Sequence, residues 1–383
     1  MEIGTQKVKS LFMLDANITY LNHGSFGACP KPIFNSLIKW QKELEKEPVK
    51  YLAHDIAENL SNSRFSLSKY INCNKDDLVF FPNPSTALNT VLRSLDLKHG
   101  DEILTTNHEY GAMDRAWRFL CKKTGAKYIN QKISLPLEDK EFFIKEFKKG
   151  ITDKTKIIFL SHITSPTALI FPVKEICNIA REKGIITIID GAHAPGQIDL
   201  DIEDINPDFY SGACHKWMCS PKGVAFLYAK KEIQYIIEPL VISWGYESEK
   251  PGHSQFLDYL QWQGTNDISS YLTIPDVIRF LEEYSWTDFS VKCSDLNLWA
   301  HQKVLESFNI EPLSSNQFLA QMNSFYFNYE DSINCQLEFY KKYKIQIPFF
   351  SWNNKQLIRI SVQAYNNKND ILYLIDSLKD FNQ

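Results

Sequence analysis

Ile185-Ile186-Thr187-Ile188-Ile189-Asp190-Gly191-Ala192-His193 carries five β-branched residues straight into an acid and two small residues. β-Branched side chains suit a pleated strand, and a continuous apolar run marks a strand covered on both faces. Similar short runs lie upstream at Leu78–Phe81, Glu102–Thr106, Ala126–Ile129 and Lys156–Leu160, and downstream at Val224–Tyr228. Amphipathic stretches separate them: Ser85–Leu95, Ala112–Lys123, Asp139–Lys149 and Val173–Lys183. Gly125 and Gly184 stand where helix C-caps are expected. Strands alternating with helices predict an α/β domain over residues 21–255, with a mostly parallel sheet between helices.

The rhythm changes after Ile242. Ser243–Ser254 reads as a linker or active-site loop, with two glycines, a proline and mixed charge. Residues 256–383 read as a linker helix and a smaller α+β domain. A long helix is expected from near Pro275, with further helices at Leu296–Phe308, Ser332–Tyr343 and Lys368–Phe381. Strands are expected at Ser324–Asn328, Ile345–Pro348 and Leu357–Ser361. Residues 1–20 read as an N-terminal segment packing near the small domain.

Acidic and basic residues nearly cancel across the 383 residues, for a net charge of −4, so the basic excess of a nucleic-acid binder is missing. Cysteine is scattered over eight positions without a CxxC pair, which argues against a metal centre or a disulfide framework. No apolar run approaches a membrane span, and residues 1–20 lack the apolar core of a signal peptide. The expectation is a cytoplasmic enzyme without nucleic-acid or membrane partners. GxGxxG, Walker and GxSxG motifs do not occur.

In open α/β sheets ligands sit beyond the carboxyl ends of the strands, so the residues following each run carry the chemistry. Asp190 follows the quoted strand. His215-Lys216-Trp217 comes 25 to 27 residues after it, beyond Asp208-Phe209-Tyr210-Ser211. Pro82-Asn83-Pro84-Ser85-Thr86 leads from Leu78–Phe81 into a helix. An acid, a lysine and a helix start at one sheet edge match the needs of pyridoxal 5′-phosphate. Its aldehyde needs a lysine for the Schiff base, and its pyridine nitrogen needs a carboxylate. Its phosphate needs a helix N-terminus and hydroxyls, and a substrate carboxylate suits an arginine. Lys216, Asp190, Ser85, Thr86 and Arg359 are the candidates.

The strings Asp190-Gly191-Ala192-His193 and His215-Lys216-Trp217 resemble the cofactor motifs of class V (cysteine-desulfurase-type) aminotransferases. Further blocks resemble the isopenicillin N epimerase-like branch. They are Tyr20-Leu21-Asn22-His23-Gly24-Ser25-Phe26-Gly27, Asn83…Ala87-Leu88-Asn89, the stretch from His108 to Arg115, Trp262-Gln263-Gly264-Thr265, and the stretch from Arg359 to Asn366. They follow family order across nearly the whole chain. The resemblance implies the fold type I architecture of pyridoxal-phosphate transferases. It gives Lys216 the cofactor linkage and proton transfer, Asp190 the pyridine nitrogen, and Tyr110 the ring face. It places His193 and Ser165 near the ring hydroxyl, and Ser85, Thr86 and His215 at the phosphate. Thr265 would reach the phosphate of a neighbouring subunit, which makes a homodimer part of the expectation. Arg359 would bind the substrate carboxylate, with Asn22 and His23 lining the entrance.

Alternatives stand beside these roles: His193 as the cap of a helix starting near Ala194, Arg359 as the partner of a carboxylate in its own domain, Trp217 as packing. Ala213 and Pro84 depart from the family pattern, each removing one expected phosphate contact. The branch implies an epimerase or racemase acting on an amino acid. The alternative is a carbon–sulfur lyase cleaving a cysteine conjugate, with transamination and cysteine desulfuration behind it. Tyr343–Ser351, where desulfurases carry their acceptor cysteine, has none.

Overall fold

The computed structural model describes residues 2–381, so residues 1, 382 and 383 of the expected N- and C-terminal segments lie outside the described residues. The chain enters through β1 (Thr19–Tyr20) and then lays down the strands of one sheet. These are β2 (Leu78–Phe81), β3 (Glu102–Thr106), β4 (Lys127–Gln131), β5 (Thr155–Ser161), β6 (Ile186–Gly191), β7 (Phe209–Ala213) and β8 (Ala225–Ala229). Their order is β2-β8-β7-β6-β5-β3-β4, and β8 alone runs against its neighbours. The continuous apolar runs have a simple cause. Ile188 belongs to the core on one face of the sheet and Ile189 to the core on the other, as do Ile157 and Ile158. Successive strand residues point to opposite faces, and both faces are covered.

The order reverses at β3: β4 lies on one side of it and β5, β6 and β7 follow on the other. Such a switch point opens a crevice beyond the carboxyl ends of the strands. The strand exits of β3, β5, β6 and β7 all meet there. So does that of β2, which is parallel to β7 through the intervening β8.

The second unit is a three-stranded antiparallel sheet of β9 (Met322–Tyr326), β11 (Phe349–Trp352) and β12 (Lys355–Ser361), in the order β11-β12-β9. Helices Trp286–Phe308 and Lys368–Phe381 pack on each other beside it. The short strand β10 (Ile345–Gln346) pairs in parallel with β1, and the Gly4 N–H donates to the Ala364 carbonyl at 2.7 Å. The start of the chain is therefore fastened to this unit. No helix among the described residues is long and apolar enough to cross a membrane.

Several elements differ from the sequence reading. Helices Lys31–Lys46 and Ile56–Tyr70 precede the sheet. The inward side of the second buries Ser63, Arg64 and Ser68 with Leu60 and Leu67, so its stripe is not apolar. The helix expected from Pro275 is Ile274–Glu283, broken at Ser285, whose φ of 50° turns the chain into Trp286–Phe308. No helix starts near Ala194: the segment is a turn closed through Gly196 at φ 82°.

Candidate active site

Eight of the expected residues line one cavity of about 290 Å³: Ser85, Tyr110, Ser165, Asp190, His193, His215, Lys216 and Arg359. Asp190 lines it at the exit of β6, buried, with Oδ1 accepting the Ala192 N–H at 3.0 Å. Burial pushes its carboxyl above the usual range, opposed by that hydrogen bond and by the Lys216 charge. Lys216 follows β7. Burial, aided by the nearby Arg359 charge and opposed by Asp190, lowers its ammonium to about 7. Its Nζ lies 3.1 Å from His193 Nε2. An amine held near neutrality is nucleophilic at physiological pH, as a lysine that captures an aldehyde must be.

Arg359 arrives from the second unit on β12. Its Nη1 donates to the Ser165 carbonyl at 2.7 Å and to Ser165 Oγ at 3.2 Å, and its Nη2 to Ser25 Oγ at 3.1 Å. All these acceptors are neutral, and Nε has no partner. Burial lowers the guanidinium to about 10, still charged at neutral pH. Among the described residues Arg359 makes no ion pair, so the alternative of a carboxylate partner in its own domain is not met. A buried cation bonded only to neutral oxygens is suited to an incoming anion.

Asn83 caps helix Pro84–Ser94, its Oδ1 accepting the Thr86 N–H at 2.8 Å. Pro84 occupies the first turn, where a missing N–H costs little. Asn83, Pro84 and Ser85 face the cavity. His215 accompanies them; its Nδ1 is 2.9 Å from the Val224 carbonyl, and burial lowers its imidazolium to about 4. Tyr110, 46% exposed, stands before helix Gly111–Thr124 and also borders an outer cavity of about 480 Å³ that shares Ser165 and Arg359. No cysteine lines either cavity among the described residues.

Four expected residues lie elsewhere. Thr86 spends both N–H and Oγ1 on Asn83 Oδ1 and does not reach the cavity wall. Asn22 stands one step back, accepting from Ser25 Oγ at 2.6 Å. His23 does not line an entrance: it is fully buried, with Nε2 2.9 Å from the Lys216 carbonyl and Nδ1 2.9 Å from Tyr365 Oη. Thr265 is exposed in a bend beside Gly264 and off the cavity of its own chain. Ala213 is a buried residue of β7 that offers no side-chain donor. The sequence reading passed over Ser161 and Ser25. Ser161 ends β5, so the rule of inspecting strand exits would have found it; its Oγ donates to Glu109 at 2.6 Å.

These residues fit pyridoxal phosphate: a buried acid, a near-neutral amine, a capped helix start and a guanidinium bonded only to neutral oxygens line one cavity. The family description "Aminotransferase class-V" matches residues 30–374. The chain belongs to the class V aminotransferase family. It is a pyridoxal phosphate-dependent enzyme, as that family is. It is 26% identical to the isopenicillin N epimerase of Amycolatopsis lactamdurans, over 97% of this chain and 96% of that one. It is 26% identical to an L-cysteine desulfhydrase of Arabidopsis thaliana, over 70% of this chain and 61% of that one. The fold is similar to the solved structure of the cystine C–S lyase C-DES with cysteine persulfide. The TM-score is 0.85, with 20% identity over 95% of this chain and 98% of that one.

Proposed function

We propose that this enzyme withdraws and returns the α-proton of an amino acid, as an epimerase does. The observation that carries this reading is Arg359, a buried guanidinium without an anionic partner, on the wall of the cavity that holds Lys216. It grips the substrate α-carboxylate and fixes the α-carbon within reach of Nζ. Bound pyridoxal phosphate supplies the electron sink for the pair left at that carbon. Lys216 holds the cofactor and then carries the proton at Nζ. Asp190 keeps a proton on the pyridine nitrogen, Tyr110 covers the ring, and His193 and Ser165 border its hydroxyl. Ser85 and His215 hold the phosphate. Thr265, exposed and off its own site, completes the phosphate cradle of a second copy, so the working form is a homodimer.

A second reading, β-elimination from a cysteine conjugate, is favoured by the likeness to L-cysteine desulfhydrase. Both reactions begin with loss of the α-proton and part afterwards. Incubation of the loaded enzyme with amino acids and cysteine conjugates in D2O separates them. Epimerisation gives α-deuterated product of lowered optical purity without pyruvate. Elimination gives pyruvate, ammonia and thiol. Neither α-deuteration nor pyruvate from any member of the panel would overturn both readings.

A further inference from the structure

We infer that Trp217 is a positioning residue that fixes His193 in its Nε2–H tautomer and so holds Lys216 as a free amine. An indole N–H can only donate. Trp217 Nε1 lies 3.3 Å from His193 Nδ1, so that nitrogen presents its lone pair. Burial keeps the His193 imidazole neutral, its pKa well below the ordinary value. A neutral ring with a bare Nδ1 carries its proton on Nε2. That nitrogen faces Lys216 Nζ at 3.1 Å.

The direction of this contact decides the state of the amine. An Nε2–H donates to the lone pair of a free amine, whereas against an ammonium two donors meet. In the opposite tautomer Nε2 would accept from an ammonium and stabilise the form that cannot attack an aldehyde. One proton position on His193 thus reverses the sign of its effect on Lys216. The other charged or titratable groups around Nζ are Arg359 from β12, Asp190 at the exit of β6, and His215 beside it in the chain. Arg359 favours the free amine and Asp190 the ammonium.

Packing alone does not dictate the indole contact. The buried indoles of Trp117 and Trp286 leave their N–H without a partner, so this chain tolerates the loss elsewhere. Trp217 is instead set in place: its ring lies 5.1 Å from that of His23, and His23 Nε2 meets the Lys216 carbonyl. On the other side Gln197 Nε2 donates to the His193 carbonyl at 2.7 Å. Both partners of the indole–imidazole contact are therefore anchored independently of it.

The inference rests on the proposed role of Lys216 only for its consequence, and its test reads the tautomer first. Apoprotein labelled with 15N in the histidine rings, with His193 assigned through His193→Gln, should show His193 protonated at Nε2 alone between pH 6 and 9. A protonated Nδ1, or a mixture, would overturn the proposal in the wild type itself, whether or not any variant folds. In Trp217→Phe the ring should become a mixture of tautomers. The pH midpoint of pyridoxal phosphate capture, followed by absorbance, should rise by roughly one unit, a tenfold change in proton affinity. A folded variant with an unmoved midpoint would also overturn it. Capture that persists in Lys216→Ala would count against the role of Lys216 instead, leaving the tautomer measurement to be judged separately.

Discussion

Arg359 is where the chemistry of a single side chain is easiest to isolate. Its planar fork already spans Ser165 and Ser25, and a lysine reaches one acceptor at a time. Arg359→Lys should therefore raise the KM for an amino-acid substrate by about ten- to a hundredfold, as losing a charge-assisted hydrogen bond of about 1.5–3 kcal/mol implies. The visible absorption of the loaded enzyme should not change. Analogues lacking the α-carboxylate should barely distinguish the two proteins, and an equal KM for the full substrate would assign Arg359 a structural role. Residues of this kind were legible because they stand directly after apolar strands or inside a family motif. Asp190, Lys216 and His215 are of that sort. Asn22 and His23 sit in a motif as well, yet they act behind the cavity through Ser25 and the Lys216 carbonyl. A motif gives sequence position but not the direction of a side chain, and in a turn those separate.

Among the elements, helix Pro84–Ser94 couples stability to cofactor binding most directly. Asn83 Oδ1 accepts from both the Thr86 N–H and Oγ1, which fixes the first turn that carries Ser85. Asn83→Ala should cost about 1 kcal/mol of stability, the usual worth of an N-cap. That loss would appear as a lower urea midpoint with an unchanged slope. The affinity for pyridoxal phosphate should fall with it; a stability loss without any affinity loss would separate the cap from the cradle. The strands of the large sheet were readable because burial on both faces leaves an unbroken apolar run. The helices before them were not, since Ile56–Tyr70 turns Arg64 and two serines inward and Arg64 is satisfied by the Lys75 carbonyl at 3.1 Å. The break at Ser285 was equally hidden. A left-handed serine leaves no mark in a hydrophobic pattern.

At the scale of the whole molecule, buried titratable groups set the response to acid. Burial lowers His23 to about 3 and His108, His162 and His215 to about 4, and takes His193 well below its ordinary value. The unfolded chain protonates these rings near 6.5 and the folded one only at lower pH, so stability falls as pH drops below that point. Glu109, raised to about 7 by burial, and Asp190, also raised, act in the opposite sense. His301 is lowered as well, so the histidines outnumber the raised carboxyls and the net effect is a loss of stability as pH falls. Urea unfolding of the apoprotein should therefore show a much lower midpoint at pH 5 than at pH 7. A flat profile would mean that these histidines are hydrated or paired in solution.

The two units meet at one point of chemistry: Lys216 leaves the large sheet and Arg359 comes from the small one, and both line the same cavity. That convergence makes Lys216, among all the lysines of the chain, the residue that should bond to the cofactor. Enzyme loaded with pyridoxal phosphate, reduced with borohydride, digested and mapped by mass spectrometry should carry the pyridoxyl group on Lys216 alone. A label on another lysine, or none on Lys216 after full loading, would remove the basis of the site described for this protein.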